Sequence, residues 1–206
     1  MTLSRQLTIY ILFLGTLFTG KSLQAQDYFE LNREYYPGFP FESGVYLSLE
    51  EFKNNSPSYK QSVRKSGIDL MIESDTSDEL IAVDPAKIWG YSQGGNVYVS
   101  FEGGFWRLIN IGTLCHFTAV VVTELQTIDS FGFPTTVYTK SMQHLFLDVE
   151  TGNIYGLNEK KLKPFLEEEP ILYKKFQDKK RKKTVDFIKA LKAYNELHPL
   201  RFPINE

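Results

Sequence analysis

The sequence predicts an α+β fold, an antiparallel β-sheet laid out as a meander and followed by C-terminal helices. Three observations carry this. Aromatic residues make up 15% of the chain, with 12 Tyr and 16 Phe, and such side chains favour pleated, half-buried surfaces. Two Gly-Gly pairs, Gly94-Gly95 and Gly103-Gly104, divide apolar runs at hairpin spacing. After Asn158 the apolar period lengthens from two residues toward three and a half.

Taken in order, Arg5, an apolar run over 7–18 and a polar stretch ending at Ala25 follow the charged, apolar, polar order of a signal peptide. Cleavage is expected after Ala25, so that the mature chain begins at Gln26. The run is too short for a membrane span, which takes roughly 20 apolar residues, and no Cys follows it for lipid attachment. The chain is therefore expected to be exported, periplasmic or extracellular, with no transmembrane span after cleavage. Residues 26–41, rich in aromatics and Pro, read as an extended arm over the body.

Residues 44–47 read as a short strand, and Ser48-Leu49-Glu50-Glu51 has capping-box spacing for a helix that stops before Pro57. Residues 62–73 alternate loosely and 74–78 form a polar turn. The meander comprises 87–91, 96–101 and 105–111, with the Gly pairs as its turns. Residues 114–125, apolar on both faces around Ala119-Val120-Val121-Val122, read as a central strand. Residues 128–134 read as a loop, with strands at 137–138, 145–147 and 154–156. About six to eight strands result, enough to curl toward a barrel. In the tail, Leu162, Phe165 and Leu166 lie at helical spacing with Pro164 expected in the first turn. Pro170 opens a second helix, and Val185, Ile188, Leu191 and Tyr194 stripe a third over 184–197. The expected organisation is a signal peptide over 1–25, a β body with one short helix over 26–157, and a helical segment over 158–206 packed on that body.

Charge is divided between these parts. Residues 26–157 hold 8 basic and 17 acidic side chains, residues 158–206 hold 13 and 8. An acidic body repels a long polyanion, so nucleic acid is not the expected partner. The run Lys179-Lys180-Arg181-Lys182-Lys183 is the candidate anion contact, for lipopolysaccharide or a sulfated glycan, against a solvated or internally paired basic face. Trp89, Tyr91, Tyr98 and Trp106 are candidates for an aromatic platform that binds a glycan, against ordinary cross-strand packing.

Cys115 is the one cysteine, so no internal disulfide forms. A thiol nucleophile needs an imidazole and an orienting group, which brings His116, His144, Asp129 and Asp148 into view. Cys115 and His116 are adjacent on a strand and point to opposite faces, leaving His144 as the candidate base. His116, His144 and His198 lack metal-site spacing, and the glycine pairs do not open helices as phosphate loops do. No metal, cofactor or catalytic residue is expected.

The segments 44–48 with 52–57, Ile88-Trp89-Gly90-Tyr91, and 194–196 with 199–203 resemble a family of uncharacterised exported proteins of Bacteroidetes-type bacteria, a domain of unknown function. The resemblance implies an envelope or secreted setting and no assigned activity. The expected function is that of a non-enzymatic envelope or secreted interaction protein, with an envelope protein or a glycan as partner. A glycan- or ligand-binding module and a cysteine-dependent hydrolase are the alternatives.

Overall fold

A computed structural model describes residues 32–60, 63–66, 69–73 and 80–204. The expected signal peptide and the polar turn at 74–78 lie outside them. The described chain forms β1 (Asn32–Glu34), β2 (Gly44–Tyr46), α1 (Leu49–Lys53), β3 (Val63–Ser66), β4 (Asp69–Glu73), β5 (Leu80–Val83), β6 (Gly90–Gln93), β7 (Asn96–Phe101), β8 (Gly104–Asn110), β9 (Leu114–Ile128), β10 (Pro134–Asp148) and β11 (Ile154–Gly156). There follow α2 (Glu159–Glu167), α3 (Pro170–Gln177), α4 (Thr184–Leu197) and β12 (Arg201–Pro203). Two compact units result, a main one over 35–200 and a small one described over 32–34 and 201–204.

In the small unit β1 pairs antiparallel with β12, from Asn32↔Pro203 to Glu34↔Arg201. The Arg201 guanidinium donates to Glu34 at 3.1 Å. No local pattern announces this pairing.

The main unit carries a seven-stranded antiparallel sheet in the order β11-β10-β9-β8-β7-β6-β2. Its end strands β11 and β2 are not paired to each other, so the meander stays an open sheet and does not close as a barrel. A second sheet, β3-β4-β5, supplies Val63, Leu70 and Ile72 to a core shared with Val45, Ile88 and Tyr91. The helices cover another part of the large sheet. Leu114 and Phe146 form a core with Leu162, Leu166, Phe176, Leu191 and Tyr194.

Local chemistry explains most boundaries. Ser48 Oγ accepts from Glu51 N at 3.2 Å to cap α1, while the Glu51 carboxylate reaches Leu47 N rather than Ser48 N. Asn158 caps α2 by accepting from Lys161 N. This places Pro164 inside the helix and not in its first turn as expected. The missing N–H leaves the Lys160 carbonyl without its helical donor, but both residues are exposed and water can take that place. Residues 184–197 form α4 as the stripe predicts.

The first glycine pair turns β6 into β7 with φ of 57° at Gly94 and 74° at Gly95. The next turn is shifted by one residue. Glu102 and Gly103 hold the positive φ values, 50° and 70°, and Gly104 starts β8. Gly104 sits close under the Trp106 ring, where a Cβ would lie 3.2 Å from the indole and the ring would have to give by a few tenths of an ångström. Replacing Gly94-Gly95 with Val-Val is expected to cost about 2–4 kcal/mol, because each L residue forced left-handed costs roughly 1–2 kcal/mol. Urea unfolding of the purified variant measures it.

Candidate functional site

The longest elements build the most unusual surface. β9 and β10 are each 15 residues long and pair throughout, from Leu114↔Asp148 to Ile128↔Pro134. Thr123, Thr127, Thr135, Thr136 and Thr139, with Val120, Val121, Val122 and Val137, give this stretch the branched side chains that strands favour. The flanking strands stop early. β8 pairs with β9 only at Phe117 and His116, and β11 pairs with β10 only at residues 145–147. Beyond Thr118 and His144 the hairpin is a two-stranded arm whose outer edges pair with no strand among the described residues. From Thr118 to Ile128 it extends about 33 Å at the usual strand rise. Its root is anchored by Leu114, Cys115, Phe117, Ala119, Leu145, Phe146 and Leu147, all buried. Such an anchor is needed because an isolated hairpin is marginally stable.

The arm ends in an organised turn. Asp129 Oδ1 accepts from the backbone N of Phe131 and of Phe133, each at 2.9 Å. Asp129 N also donates to Phe133 O, and Gly132 N to Asp129 O. This fixed turn leaves Phe131 83% and Phe133 66% exposed, with Ile128 at 69% and Tyr138 at 65%. Asp129 is the single charged residue between 125 and 139.

The val-rich run expected at the sheet centre therefore lies on the arm. Only His116 and Phe117 of β9 have a paired strand on both sides. An apolar run on both faces signals a covered strand equally well when it is the root and shaft of a projecting hairpin. The pattern that could have exposed the difference is the pair of equal, Thr-rich halves around Asp129-Ser130-Phe131-Gly132-Phe133.

The histidines meet at the arm's root. His116 and His144 lie on one face of β9 and β10, with His116 Nε2 3.0 Å from His144 Nδ1 and the ring planes nearly parallel. Asn110 Nδ2 lies 3.0 Å from His116 Nδ1. An amide NH2 donates, so His116 accepts at Nδ1, and its Nε2–H donates to His144. Burial first, then His144 and Lys192, pull the His116 imidazole down to about 4. Folded His116 thus binds a proton less readily than the unfolded chain. As pH falls below about 6.5 the unfolded state protonates first, so stability declines down to about pH 4 and is flat below that, a loss on the order of 2 kcal/mol. Melting temperature across this range, with NMR titration of the His116 ring, checks the sign and the window.

Cys115 faces the other way. Its thiol is fully buried, donates to Gly112 O at 3.2 Å, and burial pushes it up to about 12. A thiol so held is no nucleophile at neutral pH. Thiol labelling of the folded protein is expected to be negligible, becoming complete only on unfolding. Asp148 is used up in its own turn, accepting from Glu150 N and from the Thr151 hydroxyl. Asp129 stands at the far end of the arm from Cys115.

The four aromatic candidates do not share a face. Tyr91 stacks on Tyr98 at 4.6 Å within the core under the three-stranded sheet. Trp106 is opposite Val99, on the other side of the strand from Tyr98, and its indole donates to Phe101 O. Trp89 stacks on Phe52 at 4.5 Å.

The basic run links α3 to α4. Lys179 pairs with Asp186 at 2.5 Å, holding that carboxyl below its usual range. Lys182 is nearly buried, pairs with Glu159 at 3.1 Å and lies over the Phe176 ring. Lys183 N donates to Asp186 at the start of α4, while Lys180 and Arg181 are exposed. Beside the run, α3 and α4 leave a groove of about 170 Å³ floored by Leu172, Phe176, Ala190 and Ala193, with Lys175 and Lys189 on its rim.

Among the described residues, no group of three or more His, Cys, Asp or Glu side chains could hold a metal ion, and no helix is long and apolar enough to cross a membrane. No curated protein and no solved structure shows significant similarity to the chain. The matched family segment runs from the first residue of β2 to His198, the residue after α4, and so takes in the sheet, the arm and the three C-terminal helices. Over residues 44–198 the chain belongs to DUF6563, a family of unknown function.

Proposed function

We propose that this chain is an exported, non-enzymatic interaction protein whose contact element is the β9–β10 arm. Export is supported by Arg5, the apolar run over 7–18 and Ala25. The arm carries the binding reading through one observation: a hairpin leaves the sheet with open edges and ends on two phenylalanines held out by Asp129. Exposed apolar groups at the end of an anchored element mark contact sites, and open strand edges can accept a further strand. Two features favour a protein over a bilayer as partner. Unpaired backbone edges are not tolerated in hydrocarbon, and no Lys or Arg lies between 125 and 139 to meet lipid phosphate.

A photo-crosslinking amino acid at position 131 tests this in the cells that make the protein. Discrete adducts are expected from position 131 and not from exposed Lys87. A crosslinker at exposed Met142, on the shaft of the arm, should give the same adducts in the full chain and lose them when residues 124–138 are replaced with Asn-Gly, joining the paired Thr123 and Thr139, while the melting temperature stays within about 2 °C, since surface changes rarely exceed ±0.5 kcal/mol. Equal labelling from positions 131 and 87 would refute the reading.

A further inference from the structure

The groove between α3 and α4 and the tip of the arm fit each other in size and in charge. A cavity of about 150 Å³ with an aliphatic and aromatic lining accepts a benzene ring, and this groove offers about 170 Å³ floored by Leu172, Phe176, Ala190 and Ala193. The small side chains of Ala190 and Ala193 keep it open on the α4 side. Lys179 is engaged by Asp186, which leaves Lys175 and Lys189 as the rim's excess positive charge. The arm tip presents complementary chemistry, two exposed phenyl rings with a single carboxylate, Asp129, between 125 and 139. The tip does not occupy the groove of its own chain, because Phe131 remains 83% exposed.

We infer that the arm tip of one copy docks into the α3–α4 groove of a second copy, a phenyl ring of Phe131 or Phe133 entering the groove and Asp129 facing Lys175 and Lys189. This rests on the arm being a docking element. Each contact joins two different surfaces. Exchanged reciprocally between two copies it closes a two-fold dimer, and passed on in one direction it builds a chain. The apolar ring supplies the anchor and the charges set its orientation and its dependence on salt.

Sedimentation of the purified mature protein over a dilution series tests the contact. The wild type should associate, and Phe131→Ser with Phe133→Ser should weaken association at least about 100-fold, the loss expected for paired aromatic anchors. Lys175→Glu with Lys189→Glu should weaken it about tenfold and reverse its salt dependence. Ala193→Leu, which fills the groove from its open side, should weaken association from the acceptor side alone.

A second measurement keeps the test independent of any variant that folds poorly. Copies carrying Ser130→Cys, mixed with copies carrying Lys189→Cys and oxidised, should yield the mixed disulfide well ahead of either like pair. A wild type that stays monomeric throughout, or mixed and like disulfides formed in random proportion, overturns self-docking. Neither result touches the crosslinking from position 131, which decides separately whether the arm docks at all.

Discussion

Phe146→Ala is expected to lower stability by about 3–5 kcal/mol, the range for emptying a large aromatic site in a core. Phe146 is fully buried at the root of the arm, 5.4 Å from the Tyr155 ring and 5.8 Å from Phe165. It therefore joins the sheet to the helical layer, and truncation leaves a hole that Leu162 and Leu166, fixed on α2, cannot both move to fill. A loss of that size takes a large share of the 5–15 kcal/mol that holds a typical domain. Urea unfolding should show the midpoint falling with the slope unchanged. A loss below about 1 kcal/mol would mean that α2 does not pack on β10 as described.

The second large effect is at Asn195. Its side-chain Oδ1 accepts from Leu114 N at 2.9 Å and its Nδ2 donates to Leu114 O at 2.9 Å. β8 stops pairing with β9 at His116, so the amide takes the place of a neighbouring strand for one residue pair and fixes α4 to the root of the arm. Gly112 has to be glycine for this, since a Cβ there would collide with the Asn195 amide. Asn195→Leu removes two hydrogen bonds and leaves both Leu114 groups without their partner, an expected cost of about 2–4 kcal/mol. Asn195→Asp keeps the acceptor to Leu114 N but sets a carboxylate oxygen against Leu114 O, acceptor against acceptor, so its loss should be of similar size. Amide exchange at Leu114 should accelerate in the Leu variant and stay near native in the Asp variant.

Much of the fold was legible because its signals are local. The Gly94-Gly95 turn, the capping serine of α1, Pro170 at the start of α3 and the stripe of α4 each act within a few residues. What the sequence hid depends on distance. The run Ala119-Val120-Val121-Val122 reads as buried whichever neighbours it has, and nothing local states that β8 and β11 stop short of it. Leu80–Val83 pairs with β4 without any strong pattern of its own. Pro164 misled because Asn158, six residues earlier, caps α2 and sets its start. At the candidate site the basic run was visible, but its internal partners Glu159 and Asp186 were not assigned to Lys182 and Lys179 by spacing alone. The sequence marks Phe131 and Phe133 only as residues of a loop, because exposure is a property of the folded arm.

The pairing of β1 with β12 has a bearing on when the chain can finish folding. Its pairs, from Glu34↔Arg201 to Asn32↔Pro203, join residues across almost the whole chain, so among the described strand pairings they close the longest loop and draw the least help from local order. A chain made from its N-terminus brings β1 out early and β12 late. Through most of synthesis β1 lacks its partner strand β12, and its open backbone must be shielded by water or by a chaperone. The meander and the long hairpin, whose partners follow one another closely, can form before that. Completion of this ladder is thus tied to the emergence of residues 201–203, which makes the β1–β12 pairing a late step in folding.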